Sequence, residues 1–184
     1  MPLLTLGINH KTAPVEIRER VAFTPEALKP ALRDLVRLPA VQEAAIVSTC
    51  NRTELYLYLD QHAEKTKLVE WLASQQALSV PELGAYLYEY DEVHTVRHIL
   101  RVASGIDSMI LGEPQILGQM KDAYREALAA QSLGLVLGRL FQHTFTIAKM
   151  VRTHTAIGAS SVSVAFAAVQ LAQQIFGDLN EHTV

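Results

Sequence analysis

Cysteine is nearly absent. Among 184 residues only Cys50 carries a thiol, which excludes an internal disulfide and a cysteine-rich zinc site and leaves either an inert core residue or a reactive group in a reducing compartment. A basic surplus is also missing: 16 Lys and Arg against 19 Asp and Glu give a net charge of −3, so a nucleic-acid partner would have to be gripped by a local patch. The basic residues are dispersed, with only a loose set at Lys11, Arg18, Arg20 and Arg52. No uncharged apolar run approaches membrane-spanning length, and "MPLLTLGINHK" has neither the basic region nor the cleavage site of a signal peptide. A cytoplasmic protein without membrane contact is expected. Repeats and low-complexity tracts are lacking, and with 49% hydrophobic residues the chain has enough apolar mass for one good-sized core.

The patterning that is present predicts an α+β fold. "LLTLGINH" (3–10), "EAAIVS" (43–48), "ELYLYLD" (54–60) and "AYLYEY" (85–90) read as strands. Between the first two, Thr24-Pro25-Glu26 opens a helix with apolar residues at Leu28, Leu32, Leu35 and Val36; a second helix covers about 64–76. The order β-α-β-β-α-β is that of the ferredoxin-like split unit. From Asp91 the period turns helical, over about 91–104, 115–131 and 133–154, and a last amphipathic helix is marked by Val164, Ala168, Leu171 and Ile175. The expected organisation is a ferredoxin-like unit over 1–90, a helical subdomain over 91–156 and a connecting helix over 157–184. Thr183-Val184 look like the first residues of a further strand, as though the chain were cut at a domain edge.

Cys50 sits in "STCNRTE", a polar knot between the apolar runs "AAIV" and "LYLYL". A free thiol is mostly protonated at neutral pH unless a cation or an N–H cluster favours the thiolate. Arg52, two residues on, shares a side with Cys50 if the backbone is extended, and can act as that cation or clamp a carboxylate in its planar fork. Thr49 and Asn51 suit a tight turn. A core cysteine would keep apolar company, which this one does not.

A second constellation is "SGIDSMILGEPQILGQMKDAY" (104–124). Ser108, Glu113 and Gln119 are polar groups in a stretch whose Met109, Ile110, Leu111, Ile116 and Leu117 need packing. That spacing fits a pocket wall with hydrogen-bonding groups aimed inward. Glu113-Pro114 also has a plain reading as a helix start, and His98 as a satisfied helix histidine. His94 and His98 are spaced as metal ligands can be, but no nearby Glu, Asp or Cys completes a set, so no metal site is expected.

Together with "GINHKTAPVEIRE", these two segments closely resemble the glutamyl-tRNA reductase family over the whole chain. The resemblance implies a cysteine nucleophile at Cys50 whose thiolate attacks the ester of glutamyl-tRNA, leaving a thioester that NADPH reduces to glutamate-1-semialdehyde in tetrapyrrole (haem) biosynthesis. It places Thr49, Arg52, Ser108, Glu113 and Gln119 around the glutamyl group. Arg52 is then expected on a substrate carboxylate and Glu113 on the α-ammonium, with Asn51 orienting the turn or donating to the oxyanion. His98 matches a family histidine near the thiol and is expected to be catalytic with Cys50, in a supporting role that polarises or protonates groups at the carbonyl rather than as an obligate base. The family's NADPH-binding domain and the helices through which the complete enzyme dimerises are expected to lie beyond these residues, and no glycine-rich nucleotide loop is present. A chain of this extent is expected to act at most as a glutamyl-tRNA esterase. Docking of glutamate-1-semialdehyde aminomutase is a plausible property of the complete enzyme. The alternative is a ferredoxin-like tRNA-binding or regulatory module with a structural cysteine.

Overall fold

A computed structural model describes residues 2–60 and 63–158, with Val169, Leu171 and Gln173 beyond them. Four strands, β1 (Leu3–Asn9), β2 (Val41–Ser48), β3 (Arg52–Leu59) and β4 (Tyr88–Asp91), form one antiparallel sheet in the order β2-β3-β1-β4. That order, with helices after β1 and β3, is the ferredoxin-like arrangement expected from the periodicity. Helices α1 (Val15–Val21) and α2 (Pro25–Leu35) connect β1 to β2, and α3 (Lys65–Gln75) and α4 (Val80–Gly84) connect β3 to β4. The helical part follows as α5 (Val93–Ala103), α6 (Gln115–Ala130) and α7 (Leu135–His154). α1 and α4 were not foreseen: the first is a charged seven-residue segment, the second only five residues long. The anticipated helix around 164–175 and the strand start at 183 lie outside the described residues, apart from Val169, Leu171 and Gln173, which are helical and exposed.

Both faces of the sheet are covered, so its central strands are buried almost without alternation: every residue of β3 except Tyr58 is buried, and so is every residue of β1 after Leu3. Leu55, Leu57 and Leu59 point to one side of β3, and Arg52, Glu54 and Tyr56 to the other, because side chains alternate along a strand. On that second side Tyr56 meets Phe141 of α7 edge to face, with ring centroids 5.7 Å apart. Elsewhere Phe23 stacks on Trp71 of α3 at 6.4 Å, joining the two crossover segments.

The register sets three residues in a row across the sheet: Glu54 of β3 faces Gly7 of β1, and Gly7 faces Tyr88 of β4. A Cβ at Gly7 would lie 2.5 Å from the Thr53 carbonyl oxygen and 2.9 Å from Glu54 Cα. Because Gly7 has no side chain, the Tyr88 hydroxyl reaches across β1 to Glu54 Oε1. A larger residue would have to separate backbones rather than displace a flexible side chain. Gly7→Ala is therefore expected to destabilise the fold by about 1–3 kcal/mol, read as a lower urea midpoint at unchanged slope.

Candidate functional site

The hairpin between β2 and β3 has no Asn-Gly or Gly-Gly turn. A threonine closes it instead: Thr49 N–H donates to the Arg52 carbonyl at 2.8 Å, and Thr49 Oγ1 accepts from the backbone N–H of Asn51 at 3.2 Å and of Arg52 at 3.1 Å. The Asn51 carbonyl accepts from His10 N–H at 2.9 Å, and Arg18 Nε donates to the Cys50 carbonyl at 3.3 Å. These bonds leave Cys50 at the tip with its thiol exposed. Exposure excludes a role in core packing.

Opposite the tip lies the loop between α5 and α6. Gly105 enters it at φ +78°, a conformation costly for any residue with a Cβ. The loop closes through Gly112 N–H to the Gly105 carbonyl at 2.9 Å, and Arg152 of α7 holds the Gly112 carbonyl at 3.0 Å. Between tip and loop is a narrow cavity of about 30 Å³, on the scale of one or two waters. Thr49, Cys50, Asn51 and Arg52 line it from the hairpin, Ser108 and Glu113 from the loop, and Gln119 from α6. Seven of the residues singled out in the sequence thus share one wall. Met109, Gln115 and Ile116 complete it.

Two polar groups in this cavity lack partners. Ser108 Oγ is buried with no hydrogen bond, and the carboxylate of the buried Glu113 has none among the described residues. Burial pushes the Glu113 carboxyl up, against a weaker downward pull from Arg52. Groups left in this state are better satisfied by a ligand than by the empty site: Glu113 by a cation, Ser108 by either hydrogen-bonding partner.

Arg52 is held from beneath. It is 1% exposed, its Nη1 donates to Glu54 Oε1 at 2.5 Å, and its Nη2 donates to the Asp107 carbonyl at 2.5 Å. Glu54, which sequence reasoning missed, has no exposed surface. It also accepts from Tyr56 Oη at 2.6 Å and from Tyr88 Oη, and His98 Nε2 lies 2.9 Å from its Oε1. Burial pushes Glu54 up, but the Arg52 charge and the His98 and Tyr56 hydrogen bonds outweigh it and hold the carboxyl at about 2. An ionised carboxylate only accepts, so His98 Nε2 carries the proton in this contact. His98 does not line the cavity of Cys50. It faces a separate one, and reaches the thiol's neighbourhood only through Glu54 and Arg52. Asp107, also missed, bonds Lys11 Nζ and braces Arg52.

A ferredoxin-like sheet that mounts one exposed thiol over a polar, ligand-ready pocket defines the class of domain. A family model described as the glutamyl-tRNA(Glu) reductase N-terminal domain matches residues 6–155, and the chain belongs to that family. It is 62% identical over 179 residues to the glutamyl-tRNA reductase of Pseudomonas putida, covering 97% of this chain and 42% of that protein. With the Methylococcus capsulatus enzyme of the same name it shares 57% identity over 183 residues, 100% of this chain and 43% of the relative. The solved structure of glutamyl-tRNA reductase from Methanopyrus kandleri matches with a TM-score of 0.73 at 31% identity, over 95% of this chain and 40% of that one. The chain spans less than half the length of these relatives. Among the described residues no helix is long and apolar enough to cross a membrane.

Two carboxylates make opposite predictions. Glu54 is depressed from 4.5 to about 2, so it contributes stability above its unfolded value that is lost as pH falls through this interval. Glu54→Gln, which removes the nearer of the two carboxylates that face a buried guanidinium, is expected to cost about 3–5 kcal/mol near neutral pH, the deficit shrinking as pH drops from 4.5 toward 2. Glu113 is raised, so its ionisation disfavours the fold. Glu113→Gln should raise the melting temperature at neutral pH and lose that advantage below the ordinary carboxylate value of 4.5. Thermal melts of the three proteins across that range check both signs.

Proposed function

We propose that this chain is the thiol-bearing part of a glutamyl-tRNA reductase, in which Cys50 takes the glutamyl group from glutamyl-tRNA as a thioester. The observation that carries this reading is the exposed thiol on the same cavity as the unpartnered Ser108 Oγ and Glu113 carboxylate. The Cys50 thiolate attacks the ester carbonyl. The new C–S bond forms as the C–O bond breaks, and the 3′-terminal ribose oxygen leaves and takes a proton from solvent. A thioester carbonyl has less resonance stabilisation than an oxygen ester, so it is the better hydride acceptor.

The remaining roles follow from chemistry. Glu113, ionised by the approach of a cation, pairs with the α-ammonium, and Ser108, Thr49 and Gln119 supply neutral hydrogen bonds. Arg52 commits Nη2 to the carbonyl and carboxylate of Asp107 but keeps a second hydrogen on Nη1 after bonding Glu54, and offers it to the substrate's side-chain carboxylate. Asn51 orients the turn or donates to the developing oxyanion. His98 acts as a positioning residue through Glu54, which fixes the plane of the Arg52 fork.

NADPH supplies hydride in the complete enzyme. The residues of this chain do not fit its pyrophosphate, since the sequence has no G-x-G-x-x-G turn. Dimerisation and handing of the aldehyde to an aminomutase belong to the complete enzyme in this reading. Without reduction the thioester is open to water, which makes this chain a slow glutamyl-tRNA esterase.

Acid-quenched mixtures of the chain with radiolabelled glutamyl-tRNA, without NADPH, test the proposal. Label should be trapped on the wild type, be released by hydroxylamine, and be absent from Cys50→Ser. Neither trapped label nor glutamate release above background from the folded wild type would reject it.

A further inference from the structure

A second cavity, of about 340 Å³, opens on the far side of the Arg52–Glu54 pair and is lined mainly by Lys11, His94, Arg97, His98, Arg101 and Asp107. Four of these come from one face of α5, at positions i, i+3, i+4 and i+7, while Thr95, Ile99, Val102 and Ala103 bury the opposite face. Asp107 is the one carboxylate on the wall, and it already bonds Lys11 Nζ and approaches Arg52 Nη2 at 3.5 Å. Arg97 and Arg101 are exposed and have no carboxylate partner among the described residues. A place in the last helical turn, where cations offset the dipole, explains Arg101 but not Arg97. In a chain of net charge −3, such a concentration of unneutralised guanidinium calls for an anion.

The trough connects with the thiol. Lys11 lines both the trough and a neighbouring cavity of about 440 Å³, which Arg18 and Met109 also line. Met109 in turn borders the narrow cavity of Cys50, and Arg18 borders a further cavity that Cys50 lines from its other side. His10, in the connecting cavity, has a buried Nδ1 without a partner. Burial and the charges of Arg52, Lys11 and Arg18 hold its imidazole below the ordinary value, outweighing the opposing pull of Asp107. Basic side chains thus recur along this path from Arg18 at the hairpin tip through Lys11 to Arg97 and Arg101 on α5.

We propose that the trough of Lys11, Arg97 and Arg101 holds phosphodiester groups of the tRNA 3′ strand, with Arg18 and His10 along the path that leads the terminal ribose to Cys50. This rests on glutamyl-tRNA being the substrate. Guanidinium forks suit phosphate oxygens, and a basic groove that follows a backbone grips single-stranded nucleic acid whatever its sequence. The exposed apolar surface of Met109, 61% accessible, gives an unstacked base a place to rest between the two sites.

The test uses a fluorescein-labelled acceptor-stem RNA hairpin ending in unpaired CCA without an aminoacyl group, titrated with the full chain by anisotropy over a range of salt. Arg97→Ala/Arg101→Ala should weaken binding on the order of tenfold or more, and make the slope of log affinity against log salt shallower by roughly 1.4 for two single-strand phosphates. Arg33→Ala, the loss of one exposed charge on α2, which packs against the opposite sheet edge, should retain the wild-type slope. Both arginines are exposed, and melting curves of each variant check that the fold is kept. An unchanged slope in the double variant overturns the proposal. So does an equal loss in Arg33→Ala, or no measurable hairpin binding by the wild type at low salt. Hairpin affinity reports on the trough and trapped label reports on the thiol, so this proposal and the function it rests on fail separately.

Discussion

Beneath the site a carboxylate with no exposed surface accepts from a guanidinium, an imidazole and two phenols. Taking the charges of Glu54 and Arg52 out of water is costly, and their attraction offsets that cost only because the carboxylate's lone pairs are filled by donors in good geometry. The four donors come from three parts of the fold: Arg52 and Tyr56 from β3, Tyr88 from β4, His98 from α5. The network therefore exists only when sheet edge, sheet centre and helical part are assembled, and it fixes the Arg52 fork that borders the thiol's cavity. An apolar replacement could hold the strands together as well. It could not aim a guanidinium.

Gly7 is the geometric condition for this network. Its neighbours in the row, Glu54 and Tyr88, bond across β1 because nothing stands between them. Asp107 then links the network to Lys11, and the loop that carries Asp107 also presents Ser108 to the cavity. Electrostatics at the core and polarity at the surface are thus parts of one construction.

Most of the fold was legible because period carries it: the helical spacing after Asp91 follows from burial on one face, and the alternation in "ELYLYL" from two covered faces of different chemistry, leucines on one and Glu54 with Tyr56 on the other. The start of β3 was less visible. Its turn is made by the Thr49 hydroxyl rather than by glycine or proline, so the strand begins at Arg52 instead of Glu54. The cavity wall was readable from polar residues set among apolar ones and from the family's motifs. Glu54 was not, because an acid at a strand entrance reads as solvent-facing until the register of β1 and β4 is known. The in-phase spacing of Arg52, Glu54 and Tyr56 was the available signal. His98 shows the complementary gap: its place on a helix says nothing of which strand residue it meets, and in three dimensions it meets Glu54 rather than the thiol.

The hairpin tip has one more property. A nucleophile set in a pocket wall can be approached from a single direction, but Cys50 projects between two spaces, the narrow cavity shared with Ser108 and Glu113 and a wider one of about 420 Å³ bordered by Val15, Arg18 and Phe23. Under the proposed function, an acyl group held on Cys50 against the first would leave the second unobstructed. The departing alcohol and the next reactant would then take turns at the same vestibule while the acyl chain stays where it is, so that a covalent intermediate would outlast the exchange of its visitors.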